Sequence, residues 1–507
     1  MKGFRIFVFV FLLMAVQASA QIKNGVDILP ADDEAAMVTK AAKVVPSKAQ
    51  LRWQQLELTA FFHFGINTFT DREWGTGKED PALFNPSNLD ARQWVRICKD
   101  AGIKQVILTA KHHDGFCLWP SAYTGFSVKS SPWKNGKGDV VRELSEACKE
   151  AGMGFGVYLS PWDRNSPLYG TDAYNDYFVK QLTELLTNYG RVDEVWFDGA
   201  NGEGPNGKKQ WYDFQRWYKL IRSLQPQAII AIMGPDVRWV GNEAGKGRSQ
   251  EWSVIPVTAM NTDSIAFHSQ KDATEFRPKK GMQDEDLGSR EKIKGASKLV
   301  WYPAETDVSI RPGWFYHAAE DKKVKTPQQL LNIYLTSVGK NSLLLLNIPP
   351  DKNGLIHAAD STSLLQWKAL RTGIFSKNLF DGAGLTLPKK MSSKVLTDNK
   401  LHTAIDFAKH KGEYIIEATL NGTQKVNMLM LQENIATGQR VEDFTFEGMI
   451  NGQWKVLAAG TTIGYKRIIP FEASSVERVR LHIRSSRLKP VIAAIGLYVM
   501  DDPKMLP

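Results

Sequence analysis

DARQWVRICKDAGIKQVILTA, residues 90–110, is the stretch that decides the fold. Asp90 stands where an N-cap belongs, the helical pattern runs over 90–101, and Gly102 stops it. An apolar strand follows at once over 105–110. The unit recurs on both sides. A strand is expected over 58–69, a helix over 139–151 stopped by Gly152, and a strand over 154–160. A helix over 172–189 stops at Gly190 before a strand over 194–198; a helix over 208–224 precedes a strand over 228–233. Near-continuous apolar strands alternating with helices indicate a parallel sheet covered on both faces. The register blurs over 240–297, which reads as loop insertions, and resumes with a strand over 299–304, a helix over 326–338, a strand over 342–348 and a helix over 361–376. About eight steps point to a (β/α)8 barrel over 49–380. The alternative is an open doubly wound sheet. No glycine-rich phosphate loop follows an early strand, which counts against that alternative and against a nucleotide cofactor.

Beyond 380 the pattern changes to short alternating segments over 395–397, 413–420, 425–432, 440–450, 454–459, 477–483 and 493–499. Asn421-Gly422 and Asn451-Gly452 are hairpin-turn dipeptides, so 381–507 reads as a β-sandwich domain. At the other end, residues 1–20 read as a signal peptide: Lys2 and Arg5, an apolar run from Phe7 to Val16, and the cleavage site Ala18-Ser19-Ala20 before Gln21. The run is too short for a membrane span, and periplasmic or secreted export is expected. Residues 21–48 form a low-pattern leader.

Charged residues are 23% and hydrophobic residues 43% of the 507-residue chain, an ordinary globular balance. Removing Lys2 and Arg5 takes two charges from the formal +10 and leaves +8. The basic residues are scattered, which gives nucleic-acid binding little support. Cys98, Cys117 and Cys148 make neither a disulfide framework nor a zinc site, and Cys98 and Cys148 read as buried small hydrophobes.

Catalytic groups of a barrel lie where its strands end. The first exit carries Phe62-His63-Phe64-Gly65 and then Glu73-Trp74-Gly75; the second carries His112-His113-Asp114-Gly115; the third carries Tyr158-Leu159-Ser160-Pro161-Trp162; the fourth carries Trp196-Phe197-Asp198-Gly199. Imidazoles can donate to or accept from neutral hydroxyls, and aromatic faces suit the apolar side of a sugar ring. His112 and His113 lack a partner spacing for a metal, and an extended strand would send adjacent side chains to opposite faces, so no metal is expected. Asp198 taken alone reads equally well as a helix N-cap.

Phe-His-Phe-Gly, Glu-Trp-Gly, His-His-Asp-Gly-Phe and Trp-Phe-Asp-Gly at successive strand ends resemble the glycoside hydrolase family 29 α-L-fucosidases over about 45–350. The resemblance implies a retaining exo-α-L-fucosidase without a cofactor. Asp198 would be the nucleophile, and His63, Glu73, Trp74, His112, His113, Tyr158 and Trp196 would bind the sugar. Trp314 would be the aromatic under its methyl side. The segment Val237-Arg238-Trp239-Val240-Gly241-Asn242-Glu243 resembles the subfamily acting on α-1,3- and α-1,4-linked fucose of branched, Lewis-type glycans, which makes Glu243 the acid/base. Glu251 and Glu305 stand in reserve for that role. Retention needs the two carboxyl groups about 5–5.5 Å apart. The competing readings are a broad-specificity α-L-fucosidase, an α-L-galactosidase, since a ring methyl group is worth only about 1–3 kcal/mol, and a non-catalytic carbohydrate-binding protein.

Overall fold

The computed structural model describes residues 24–256, 285–387, 393–398 and 400–500. The expected signal peptide lies outside them. Eight parallel strands form a nearly closed barrel: β1 Leu58–Phe62, β2 Gln105–Lys111, β3 Gly154–Leu159, β4 Glu194–Phe197, β5 Ile229–Ile232, β6 Arg238–Trp239, β7 Ala304–Ser309 and β8 Leu343–Asn347. The hydrogen-bonded order is β5-β4-β3-β2-β1-β8-β7-β6. The seam between β5 and β6 is stitched by Asp236, whose carboxylate accepts from the Ile230 amide at 2.8 Å and whose carbonyl accepts from Gln50 at 2.8 Å.

Each strand alternates. Phe61, Ile107, Tyr158, Trp196, Ile229, Leu343 and Leu345 share one buried cluster with Trp53 inside the barrel. Their neighbours Phe62, Leu108, Val157, Leu159, Val195 and Phe197 pack outward against the helices. Those helices carry the caps the sequence proposed. Asp90 accepts from Gln93 N–H at 3.1 Å at the start of Ala91–Asp100, and Gly152, at φ +68, closes Val140–Ala151. Cys98 and Cys148 are buried on these helices, and all three cysteines are free.

Several expected elements differ. The strand expected over 58–69 stops at Phe62, because the next two amides bond side chains of other strands: His63 N–H to Asn347 and Phe64 N–H to Thr109, each at 3.3 Å. A short helix, Ile66–Thr70, follows. No helix separates β5 from β6; the link is tight, and a Cβ on Gly234 would sit 2.2 Å from the Ile230 carbonyl oxygen. The strand expected over 299–304 splits at Pro303. Lys298–Trp301 pairs antiparallel with Gly25–Asp27 and Val254–Pro256, and the barrel strand begins at Ala304. The expected leader is helical over Glu34–Lys43, and the next helix, Lys48–Gln54, brings Trp53 to the barrel interior.

The C-terminal region is an antiparallel sheet of seven strands. The segments expected over 413–420 and 425–432 are one strand, Tyr414–Glu433, with a register shift between Thr419 and Gln424 that absorbs Asn421-Gly422 as a bulge, not a hairpin. Asn451-Gly452 does turn a two-residue hairpin between Ile450 and Gln453, with φ +51 and +77. The segment expected as a strand over 395–397 is a single 3-10 turn, Ser393–Leu396, that buries Leu396. Residues from both halves of Tyr414–Glu433 and Arg467–Ser486 enter one core, so the sheet folds over itself as a sandwich.

This sandwich is welded to the barrel. Met428, Met430, Ile468, Ala494 and Tyr498 share the core of the barrel helices. Glu57, just before β1, accepts from Lys466 Nζ at 2.6 Å, Tyr465 Oη at 2.9 Å and Tyr334 Oη at 3.2 Å. Burial pushes the Glu57 carboxyl up, and the charge and hydrogen bond of Lys466, with the Lys104 charge and the Tyr465 hydroxyl, together more than reverse it. Lys466→Met would strand this carboxylate, with a loss of about 3 kcal/mol. Denaturant unfolding at neutral pH measures it, and Glu57→Gln combined with Lys466→Met should recover most of it. A loss below about 1 kcal/mol would mean that the pair is solvated and contributes like a surface pair.

Candidate functional site

Alternation carries inward-facing positions past the strand ends. His63 lies two residues beyond Phe61, Ser160 two beyond Tyr158, and Asp198 two beyond Trp196. All three reach one cavity or its wall. The cavity, about 260 Å³, is lined by His63, Glu73, Trp74, His112, His113, Tyr158, Trp196, Asp198, Glu243 and Trp314, together with Phe61, Trp239 and Asp307. Every residue named as a candidate in the sequence is therefore gathered here except the two reserves. Glu251 is fully buried and paired with Arg238 and Arg248. Glu305 is buried behind the cavity, accepting from Trp196 Nε1 at 2.8 Å.

Asp198 is held at both oxygens. Oδ1 accepts from the Ala200 amide at 2.7 Å, and Oδ2 accepts from Tyr158 Oη at 3.1 Å. It caps no helix; a loop follows, and the next helix is Phe214–Leu224. Its side chain is 28% exposed, open enough to meet a ligand. Glu243 comes from the loop after β6. That loop is closed by Asn242, which accepts from the Ala244 amide at 3.0 Å and donates to the Lys246 carbonyl at 2.9 Å. Gly241 at φ +104 and Gly245 at φ +69 supply turns in which a side chain would be strained.

The histidines are neutral and their tautomers follow from their partners. Asn347 donates its amide to the Trp314 carbonyl at 2.7 Å, so its oxygen accepts from His63 Nδ1 at 2.8 Å. Ser160 donates to the Trp162 carbonyl at 2.6 Å and so accepts from His113 Nδ1 at 2.8 Å. Both rings keep Nε2 as an acceptor. His112 Nδ1 instead accepts from Asn67 at 3.3 Å, which leaves its Nε2 as a donor. Burial drives the His63 pKa down to about 3, and lowers His112 and His113 as well. The two adjacent rings, expected to face opposite ways, lie 4.0 Å apart at 33°. The chain turns directly after β2, with the Gly115 amide bonding the His112 carbonyl at 3.1 Å, and the turn breaks the alternation there.

The aromatic walls are fixed from behind. Tyr158 and Trp196 stack at 5.2 Å and 24°, and Trp314 tilts over His63 at 5.1 Å. Glu73 accepts from the amides of Trp314 at 2.8 Å and Phe315 at 3.1 Å. Among the lining residues that were not candidates in the sequence, two pair with each other. Trp239 donates Nε1 to Asp307 at 2.8 Å. Burial pushes the Asp307 carboxyl well above the usual range, and the charge of Glu243 adds to the shift. Asp307 was missed because the strand was expected to end at 304, three residues short of it. Asn347, the support of His63, ends the apolar run of β8, so a reading of that strand exit would have found it. The arrangement suits a neutral ring bearing hydroxyls, held by uncharged imidazoles and aromatic faces between carboxyl groups.

Comparison with known proteins points to one family. The family model described as alpha-L-fucosidase matches residues 35–369. Alpha-L-fucosidase 1 of Arabidopsis thaliana is 44% identical over 468 residues, covering 90% of this chain and 87% of its own. The crystal structure of a candidate α-L-fucosidase from Bacteroides ovatus superposes with TM-score 0.82 at 50% identity, over 95% of this chain and 78% of that one. A Ruminococcus gnavus family 29 fucosidase solved with fucose superposes with TM-score 0.79 at 31% identity, over 95% of this chain and 98% of its own.

Behind the site, Glu305 and Glu194 each bury one carboxyl oxygen without a hydrogen-bond partner, and Trp53 and Gln105 donate to the other oxygen of Glu194 at 3.1 and 2.6 Å. Burial pushes both carboxyls well above the usual range, so the folded pair holds protons that the unfolded chain releases above about pH 4.5. The pair's stability contribution is complete below that pH and is lost as pH rises toward the raised values. Glu305→Gln keeps the acceptor for Trp196 and removes one titration. Its stability should fall less steeply than wild type from about pH 5 to 8, by about 1.4 kcal/mol per unit for each proton. Parallel stability curves in chemical denaturation would refute the raised Glu305 carboxyl.

Proposed function

The chain belongs to the glycoside hydrolase family 29 α-L-fucosidases, and from this membership we propose that it is a retaining exo-enzyme that removes α-1,3- or α-1,4-linked L-fucose from branched, Lewis-type glycans. The observation that carries the reading is that Asp198 and Glu243, 45 positions apart in sequence, line one cavity of about 260 Å³. A cavity of this size suits a single sugar, and the R. gnavus relative was solved with fucose.

In this reading Asp198 attacks the anomeric carbon, and Glu243 protonates the departing glycosidic oxygen. An ester between fucose and Asp198 results. Glu243, now ionised, takes a proton from water; the water oxygen bonds to the anomeric carbon, and the ester bond breaks with its electron pair returning to Asp198. The histidines hold the ring hydroxyls without competing for charge. Only carboxylates then face the oxocarbenium-like transition state, in a buried site where their charge acts strongly. Tyr158, bonded to Asp198 Oδ2, keeps the nucleophile oriented through both steps. His113 Nε2 stands 3.9 Å from the same oxygen, and a sugar hydroxyl placed there donates to one of these two acceptors.

The linkage preference is supported by the loop after β6. Glu243 and Trp239 wall the leaving-group side together, and the segment that contains them is the one that resembles the narrower subfamily. Export through the segment at 1–20, to the periplasm or the medium, completes the proposal and fits glycans met outside the cytoplasm.

Asp198→Ala should lower kcat by about 10⁴-fold or more while the thermal transition stays near wild type. Near-normal turnover of an aryl fucoside would rule out the nucleophile. Glu243→Ala should cost about 10²–10⁴-fold on poor leaving groups and far less on activated aryl fucosides; equal losses on both would remove the acid role. On Lewis-type trisaccharides, kcat/KM should exceed that on a 2'-fucosylated trisaccharide by about 100-fold. Comparable rates would leave the family assignment standing and end the linkage claim.

A further inference from the structure

His317, which lies outside the cavity, touches two carboxylates from the first barrel loop. Its Nδ1 is 2.7 Å from Asp71 Oδ1 and its Nε2 is 2.7 Å from Glu73 Oε1. A carboxylate accepts and does not donate, so both ring nitrogens must carry hydrogen, and the ring is an imidazolium bridging two anions. Glu73 also accepts the Trp314 and Phe315 amides, which belong to the loop after β7. Of its roughly four acceptor positions, these contacts occupy three. One on Oε2 remains for a ligand hydroxyl.

We propose that His317 is a positioning residue of the sugar site: it clamps the loop after β1 to the loop after β7 and thereby sets Glu73 and Trp314 against the bound ring. The proposal rests on the reading that Glu73 and Trp314 hold fucose. Without the clamp, Glu73 loses the contact that orients Oε1, and its remaining acceptor position swings with the loop. Gly313 shows how tightly the parts meet. A Cβ there would lie 2.5 Å from Glu73 Oε1 and 3.1 Å from the His317 ring.

The clamp should respond to pH. Burial disfavours the charged ring, and the hydrogen bonds and charges of Asp71 and Glu73 outweigh it, so the His317 pKa stands above its ordinary 6.5. The clamp is closed below that raised value and loosens as pH rises through it. Asp71 and Glu73 face the ring from the first loop. On its own segment, Glu320 accepts from the Gly313 amide at 3.1 Å, and Arg311, paired with Asp360 and Asp321, reaches the His317 carbonyl at 3.5 Å. The three cavity histidines have lowered pKa values and stay neutral as this one titrates.

The test compares wild type with His317→Gln, Asp71→Asn and Glu73→Gln in the full chain, using an aryl α-L-fucoside and, for binding, L-fucose itself. Glutamine can bond only one of the two carboxylates. His317→Gln should raise KM and the fucose Kd by about tenfold, change kcat less than about threefold, and abolish the rise of KM on the alkaline side. Asp71 is exposed, and Asp71→Asn should move that rise to lower pH without unfolding risk. If His317→Gln keeps the wild-type KM, Kd and pH dependence while Glu73→Gln weakens both constants, His317 does not position the site. If kcat falls and KM does not, the clamp is also wrong. If Glu73→Gln leaves KM and Kd unchanged, the sugar-site reading itself fails and takes the clamp with it.

Discussion

A parallel strand sends every second side chain into the barrel, and the whole site depends on that constraint. Phe61, Tyr158 and Trp196 face inward and make a buried aromatic floor. Two residues on, the same parity delivers His63, Ser160 and Asp198 at the open end. Nothing about the site needs a special backbone at these positions. It needs strands that stop on time, and they stop where amides turn from the ladder to side chains such as Asn347 and Thr109.

Burial then sets the charges. The imidazoles of His63, His112 and His113 are driven neutral, while Asp307, Glu305 and Glu194 are pushed toward their protonated forms. Asp198 is more exposed than these three and accepts hydrogen bonds from the Ala200 amide and the Tyr158 hydroxyl. A neutral ligand therefore meets a pocket walled by uncharged imidazoles and aromatic rings.

The loops beyond the strands are held from outside the barrel. Arg238 in β6 is locked to Glu251, and the Glu251 carbonyl accepts from Asn341 at 2.9 Å and from Gln439 of the sandwich at 3.2 Å. The sandwich thus reaches the segment that follows the Glu243 loop, in addition to sharing a core with the barrel helices. Bracing of this kind gives the C-terminal sheet a structural task.

The sequence by itself determined the barrel, its order of strands and the residues at the first four exits, because period-two and helical patterns are local and glycines mark the helix ends. It also determined the hairpin at Asn451-Gly452. It did not determine the strand that follows Pro303, the merging of two expected strands across Asn421-Gly422, or the helical leader, since apolar runs look alike until their partners are known. Only the tertiary structure decided which glutamate shares a cavity with Asp198. The resemblance of 237–243 put Glu243 first, with Glu251 and Glu305 in reserve, and what separates them physically is whether an arginine, a second buried carboxyl or an open cavity lies opposite. That is a matter of contacts between segments far apart in sequence, which no local pattern records.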